Sequence, residues 1–384
     1  MADQAALASR SALGSLLLTQ VTFSLTSIGL ALLLGAHAAK PKPELALLTG
    51  VLLVQGLARI VVGVNLPVDA EECDGAMWLA VALAVLAGVP FVRLGPQWWL
   101  MAAVPTVTYE VLRSWTLRRG GARRNVDVAV ADVAWFVPSL VLVVATSTLR
   151  APVALLCGGL AASAFLCSRS GTPAFVSHAL TARGTWLRRR RANVRRSLLE
   201  GTSGVLLPFA CVALLSAFRR YDDTNALRAA SQAMSPIGSL VGVTMFAWER
   251  LSTRLRHFAG HALVFAPVAV ALVAAVVPRL LGTLSGHSPY VLAYAMGWSA
   301  FGVSQTRVAL NNADHRHQLD SRLPNRGLVL LVAVALLVGA LTSTVALAAV
   351  LTLTSVALFP WIGGMIVQRQ LGSSATPGPE SGAV

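Results

Sequence analysis

Long apolar segments, broken by short polar stretches, recur along the whole chain. About 20 apolar residues are needed for a helix to cross a bilayer core. Segments meeting that length fall near 12–35, 45–66, 76–93, 97–116, 128–148 and 151–168, and again near 199–218, 229–249, 260–282, 289–309, 327–345 and 347–368. Between the two sets lies RGTWLRRRRANVRR, Arg183–Arg196, and no acidic residue interrupts the arginines from Arg169 to Arg196. Such a run does not reside in hydrocarbon, so it separates two halves of similar helix count. The pattern predicts an all-α polytopic membrane protein with about twelve transmembrane helices in two six-helix lobes around a central cavity. The expected division is an N-terminal lobe at 1–170, a basic cytoplasmic linker at 171–198, a C-terminal lobe at 199–370, and a disordered tail at 371–384 rich in Gly, Ser and Pro.

Composition agrees with this pattern. The 384 residues are 55% hydrophobic and 12% charged, with mean hydropathy +0.68, against soluble averages of roughly 45–50% and about 25%. The net charge of +15 would suggest a nucleic-acid binder if the arginines were scattered. They instead collect in alternate loops: Arg113, Arg118, Arg119, Arg123 and Arg124 after the fourth segment, the central run after the sixth, Arg250, Arg254 and Arg256 after the eighth, and Arg316, Arg322 and Arg326 after the tenth. Positively charged loops mark the cytoplasmic side. The expectation is therefore a multi-pass protein of the cytoplasmic membrane with both termini inside, touching anionic lipid headgroups and no nucleic acid. Ala36-His37-Ala38 has the form of a signal-peptidase site. The preceding apolar stretch, however, exceeds an h-region of about 7–15 residues and contains Thr19, Gln20, Thr22 and Ser24, so an uncleaved first helix is expected.

Motifs for nucleotide or metal chemistry are missing from the sequence: no GxxxxGK[ST], no HExxH and no GxSxG. No enzymatic activity and no cofactor are expected. Cys73, Cys157, Cys167 and Cys211 have no ligand spacing and read as small packing residues. What remains is polar residues inside apolar segments, each costly in hydrocarbon and so a functional candidate. Arg59 is placed deep in the second segment, with Gln55 on the same helix face at i, i+4 and Asn65 beyond it. Gln20 lies in the first segment, and Arg228 and Gln232 open the eighth, before Pro236. Arg59 either lines a cavity for an anionic substrate or pairs with Glu110, Asp132 or Glu249 to hold helices together. Arg228 either joins it or snorkels to an interface. Glu110 and Arg113, one turn apart, read most simply as a local ion pair. Asp132 reads most simply as an acid near a helix amino terminus. Glu110, Asp132 and Glu249 are also the candidates for coupling to a cation.

Several stretches carry a family resemblance. LLLTQVTFSLTSIGLALLLGAHA followed by GLARIVVGVNLPV resembles the start of actinobacterial polysaccharide-type flippases of the multidrug/oligosaccharidyl-lipid/polysaccharide exporter superfamily. YEVLRSWTLRRGGARRNVDVAVADVAWF is similar to that family's fourth helix, arginine-rich turn and Asp-Xaa-Xaa-Trp entry into the fifth. WLRRRRANVRRSLLEGTSG resembles its basic link between halves, and NALRAASQAMSPIGSLVGVTMFAWERLSTRL its eighth helix. The matches span roughly the first 255 residues; the last four segments agree only in hydropathy. The resemblance implies two lobes around a cavity and alternating-access transfer of an undecaprenyl-diphosphate-linked oligosaccharide, with glycosyltransferases or a polymerase of the same pathway as partners. Two other classes stay open: a cation-coupled drug or metabolite antiporter of the same superfamily, and a non-transporting membrane scaffold for glycan synthesis.

Overall fold

The computed structural model describes residues 2–201, apart from 90, 92–94, 170 and 182–183, together with residue 221. The described residues belong to the first of two compact units, Met1–Ser239. The expected spans of the second half, with Arg228, Gln232, Glu249 and the tail, lie outside the described residues.

Among the described residues every regular element is helical. Six helices answer the six expected segments: α1 (Ala2–His37), α2 (Pro41–Val61), α3 (Ala76–Leu86), α4 (Pro96–Arg119), α5 (Ala122–Thr146) and α6 (Ala151–Cys167). Proline stands in the first turn of α2, α4 and α6, where its missing N–H costs nothing. Two differences from the sequence reading matter. The second helix ends at Val61 and gives way to a 3-10 turn at Gly63–Asn65. The basic linker is also not a plain loop: it carries α7 (Thr172–Ala179) and α8 (Thr185–Gly201). Leu18–His37 and Ala122–Thr146 are each long and apolar enough to cross a membrane on their own, and α6 with α7, bent by 117°, forms a third candidate as a pair.

Packing is inverted relative to a water-soluble bundle. On α5 the exposed residues Val126, Val130, Val133, Val137, Val141 and Val144 recur at i, i+4, i+7 and form an apolar stripe. Exposed Leu18, Val21, Leu25 and Leu32 do the same for α1. Gln55, Glu110, Arg113 and Asp132 are buried. That distribution suits a hydrocarbon solvent and a polar interior.

The helices close on one another through small residues. α6 packs against both α4 and α5, and Gly158 and Gly159 make this possible. A Cβ at Gly158 would overlap the Trp135 carbonyl oxygen, and one at Gly159 would come within 2.7 Å of Pro105. Close backbone approach through small residues is the usual way helices associate in lipid. At one end of the bundle, the Leu149 N–H donates to the His37 carbonyl (3.1 Å), and Glu44 accepts from the Ala151 N–H (2.7 Å), capping α6. The opposite end carries Arg118, Arg119, Arg123, Arg124 and Arg169, and both linker helices dock there. Phe175 of α7 stacks on Trp115 of α4 at 4.5 Å, and Arg169 pairs with Asp127 at 3.5 Å.

Candidate functional site

The polar residues of α2, α4 and α5 converge on one buried cluster. Glu110 lies on the inward face of α4 and is fully buried. It accepts from Arg59 at both oxygens (Nε to Oε1 2.6 Å, Nη2 to Oε2 2.9 Å), from Gln55 Nε2 (2.9 Å) and from the Ser114 hydroxyl (3.1 Å). The i, i+4 spacing of Gln55 and Arg59 brings both to the same carboxylate, as their shared helix face requires. A second pair lies alongside. Arg113 donates to Asp132 through Nε (3.0 Å) and Nη2 (3.4 Å), and the Tyr109 hydroxyl donates to the same carboxylate. Phe23 of α1 lies between the two cations, its ring centre 5.0 Å from the Arg59 guanidinium carbon and 4.8 Å from that of Arg113. Two guanidiniums and two carboxylates leave the cluster formally neutral, which is what makes its burial tolerable.

Three expectations change here. Arg59 does not sit in mid-helix: it lies in the last turn of α2, because the helix stops at Val61. Its positive charge therefore also faces the carboxyl end of the helix dipole. The local Glu110–Arg113 pair is the loosest contact in the cluster, at 3.9 Å. Each residue instead takes its close partner from another helix. Asp132 is not at a helix start but ten residues inside α5, which begins at Ala122, and it is fully buried.

The two arginines differ in access. Arg113 is 1% exposed, whereas the Arg59 side chain is 33% exposed. The Nε and Nη2 of Arg59 are engaged by Glu110, and its Nη1 has no hydrogen-bond partner among the described residues. Gln55 Oε1 is buried and likewise unpartnered among them. Gln20 is half-buried on α1. Asn65 is buried in the 3-10 turn after α2, where its side chain donates to the Val61 carbonyl (3.0 Å) and its own carbonyl accepts from the Trp186 indole (3.3 Å). Tyr109, Ser114 and Phe23 escaped the sequence reading. Tyr109 and Ser114 flank Glu110 within about one turn and were within reach of a helix-face argument. Phe23 had no signal, since an aromatic residue in an apolar helix is unremarkable.

No family model matches the chain, and no curated protein matches it. Solved structures do. One is a mutant form of the Vibrio cholerae MATE transporter VcmN, with TM-score 0.55 and 14% identity over 97% of this chain and 99% of that one. A second is a multidrug resistance MATE family transporter of the MOP superfamily in an outward-facing conformation (TM-score 0.59, 13% identity, 95% and 97%). A third is the eukaryotic MATE transporter AtDTX14 (0.58, 11%, 94% of each). The fold is that of the MATE transporters. The chain thus shares the all-α fold of these polytopic membrane transporters. At these identities the likeness is one of fold alone.

Proposed function

We propose that this chain is a membrane exporter working by alternating access, and that its cargo is an anionic lipid-linked glycan precursor of the undecaprenyl-diphosphate type. The observation that carries the reading is Arg59: a guanidinium oriented by a bidentate carboxylate, one third exposed, with Nη1 unengaged among the described residues. Guanidinium matches phosphate oxygens in geometry and charge, and a single partly neutralised arginine holds a diphosphate without trapping it. Gln20, Gln55 and Asn65 from this half, and Arg228 and Gln232 from the other, complete the proposed binding set. The fold likeness to MATE transporters captured in outward-facing and inward-facing conformations supports the transport cycle.

A second reading, a cation-coupled drug antiporter, has in its favour the buried carboxylates of Glu110 and Asp132 and the likeness to a multidrug resistance transporter. Against it, each carboxylate already holds an internal guanidinium, so a coupling cation would have to displace it. Deletion of the gene separates the classes. Lipid-linked glycan accumulating on the inner leaflet supports the flippase, drug sensitivity with normal glycan supports the antiporter, and loss of glycan synthesis itself supports a scaffold. For the site, Arg59→Lys, which keeps a cation beside Glu110, should hold protein level but support only part of the glycan transfer, because ammonium loses the planar fork. Arg59→Ala should abolish transfer and also lower protein level, since it leaves the buried Glu110 unpaired, and adding Glu110→Gln should restore the level without restoring transfer. A stable, fully active Arg59→Ala protein removes Arg59 from the site.

A further inference from the structure

The linker helix α8 begins on a built foundation. Asp74, 5% exposed, accepts from the Thr185 N–H (2.8 Å) and the Trp186 N–H (2.8 Å), and the Thr185 hydroxyl lies 2.7 Å from both of its oxygens. These amides are the orphan donors of the first turn of α8, so Asp74 caps the helix from 111 residues away. Trp186 is 1% exposed, and its indole donates to the Asn65 carbonyl. Gly75 and Gly184 meet here; both have positive φ, 80° and 63°, and a Cβ at Gly75 would stand 3.2 Å from the Gly184 Cα. The start of α8 is therefore held rigidly against the end of α2.

With Trp186 turned inward, Leu187, Arg188 and Arg191 fall on the outer side of α8, and all three are exposed. Leu180, at the end of α7, is also exposed, and its carbonyl accepts from the indole of exposed Trp78 (2.8 Å). Exposed leucine, tryptophan and arginine together at the basic end of an apolar bundle are the composition of a surface that lies in the headgroup layer. Apolar groups reach the acyl boundary there while guanidiniums meet phosphates. We propose that the outer face of α8 is a docking site for anionic phospholipid headgroups of the bilayer surface. The anchored first turn presents the arginines in fixed register, which a loose basic loop does not do. This site is separate from Arg59 and independent of the cargo bound there.

The test uses the full-length protein purified in detergent and offered mixed phosphatidylglycerol and phosphatidylcholine, with retained lipid counted by native mass spectrometry. Wild type should retain phosphatidylglycerol in preference. A basic residue at an anionic surface is worth about fivefold, so Arg188→Gln with Arg191→Gln should lower that preference on the order of 25-fold. Arg123→Gln, an exposed arginine on the same end of the bundle, should change it far less. Three results overturn the proposal: an unchanged preference in the double variant, an equal loss in Arg123→Gln, or displacement of the lipid by free inorganic phosphate as effectively as by phosphatidylglycerol vesicles.

Discussion

Glu110 and Asp132 each hold an arginine contributed by a different position in the bundle, and the two pairs make different demands. The Arg59 pair is partly open, whereas the Arg113–Asp132 pair is sealed with Tyr109 in the interior. Removing one member of a sealed pair leaves an uncompensated charge, at a cost on the order of 3–5 kcal/mol. Asp132→Ala should therefore lower the folded yield strongly, while Asp132→Leu combined with Arg113→Met should recover much of it. Folded yield by fluorescence-detected size exclusion reads both. If the double variant lost as much as Asp132→Leu and Arg113→Met made singly and summed, the pairing would not be what holds these helices.

At the scale of elements, α8 depends on a cap that is distant in sequence. Burial alone would raise the Asp74 carboxyl, but the hydrogen bonds from Thr185 and Trp186, with the nearby charge of Arg189, hold it below its ordinary value of 3.8. A depressed carboxyl stabilises the fold fully above its unfolded value and loses that contribution as pH falls through its folded value. Docking of α8 should therefore be flat from about pH 5 to 8 and weaken only in stronger acid. Asp74→Asn should weaken it at neutral pH by about 1–2 kcal/mol, the size of a lost helix cap. Trypsin cleavage at Arg188–Arg191 should then run about 5- to 30-fold faster; unchanged cleavage would mean that Trp186 alone anchors the helix. The neighbouring Cys73 thiol is pushed up to about 12 by burial and by the carboxylates of Glu72 and Asp74, so it should resist alkylation and leave such assays undisturbed.

Across the whole molecule, the basic end of the bundle sets a topology. Arg118, Arg119, Arg123, Arg124, Arg169 and α8 gather there, while the other end carries Lys40, Lys42 and Arg150. By the positive-inside rule the basic end should face the cytoplasm. A single-cysteine variant at Asn193, exposed on α8, should react with an impermeant maleimide only after the cells are opened. Labelling on intact cells would invert the orientation.

The number and order of the helices in the first half were legible in the sequence, because each apolar segment marks one helix, but their lengths were not: α3, expected over 76–93, stops after 11 residues at Leu86. Also legible was the common face of Arg59 and Gln55, one turn apart in an apolar run, with Glu110 among the partners considered for Arg59. Which partner was decided by tertiary structure. Arg59 reached Glu110 because α2 packs on α4, while Arg113 turned from its neighbour Glu110 to Asp132 on another helix. The stop of α2 at Val61 and the folding of the linker into α7 and α8 were likewise hidden. Their determinants, the Asn65 and Asp74 contacts to Trp186 and Thr185, join residues 121 and 111 positions apart. Periodicity reports what a segment needs from its surroundings, and only packing decides which distant residue supplies it.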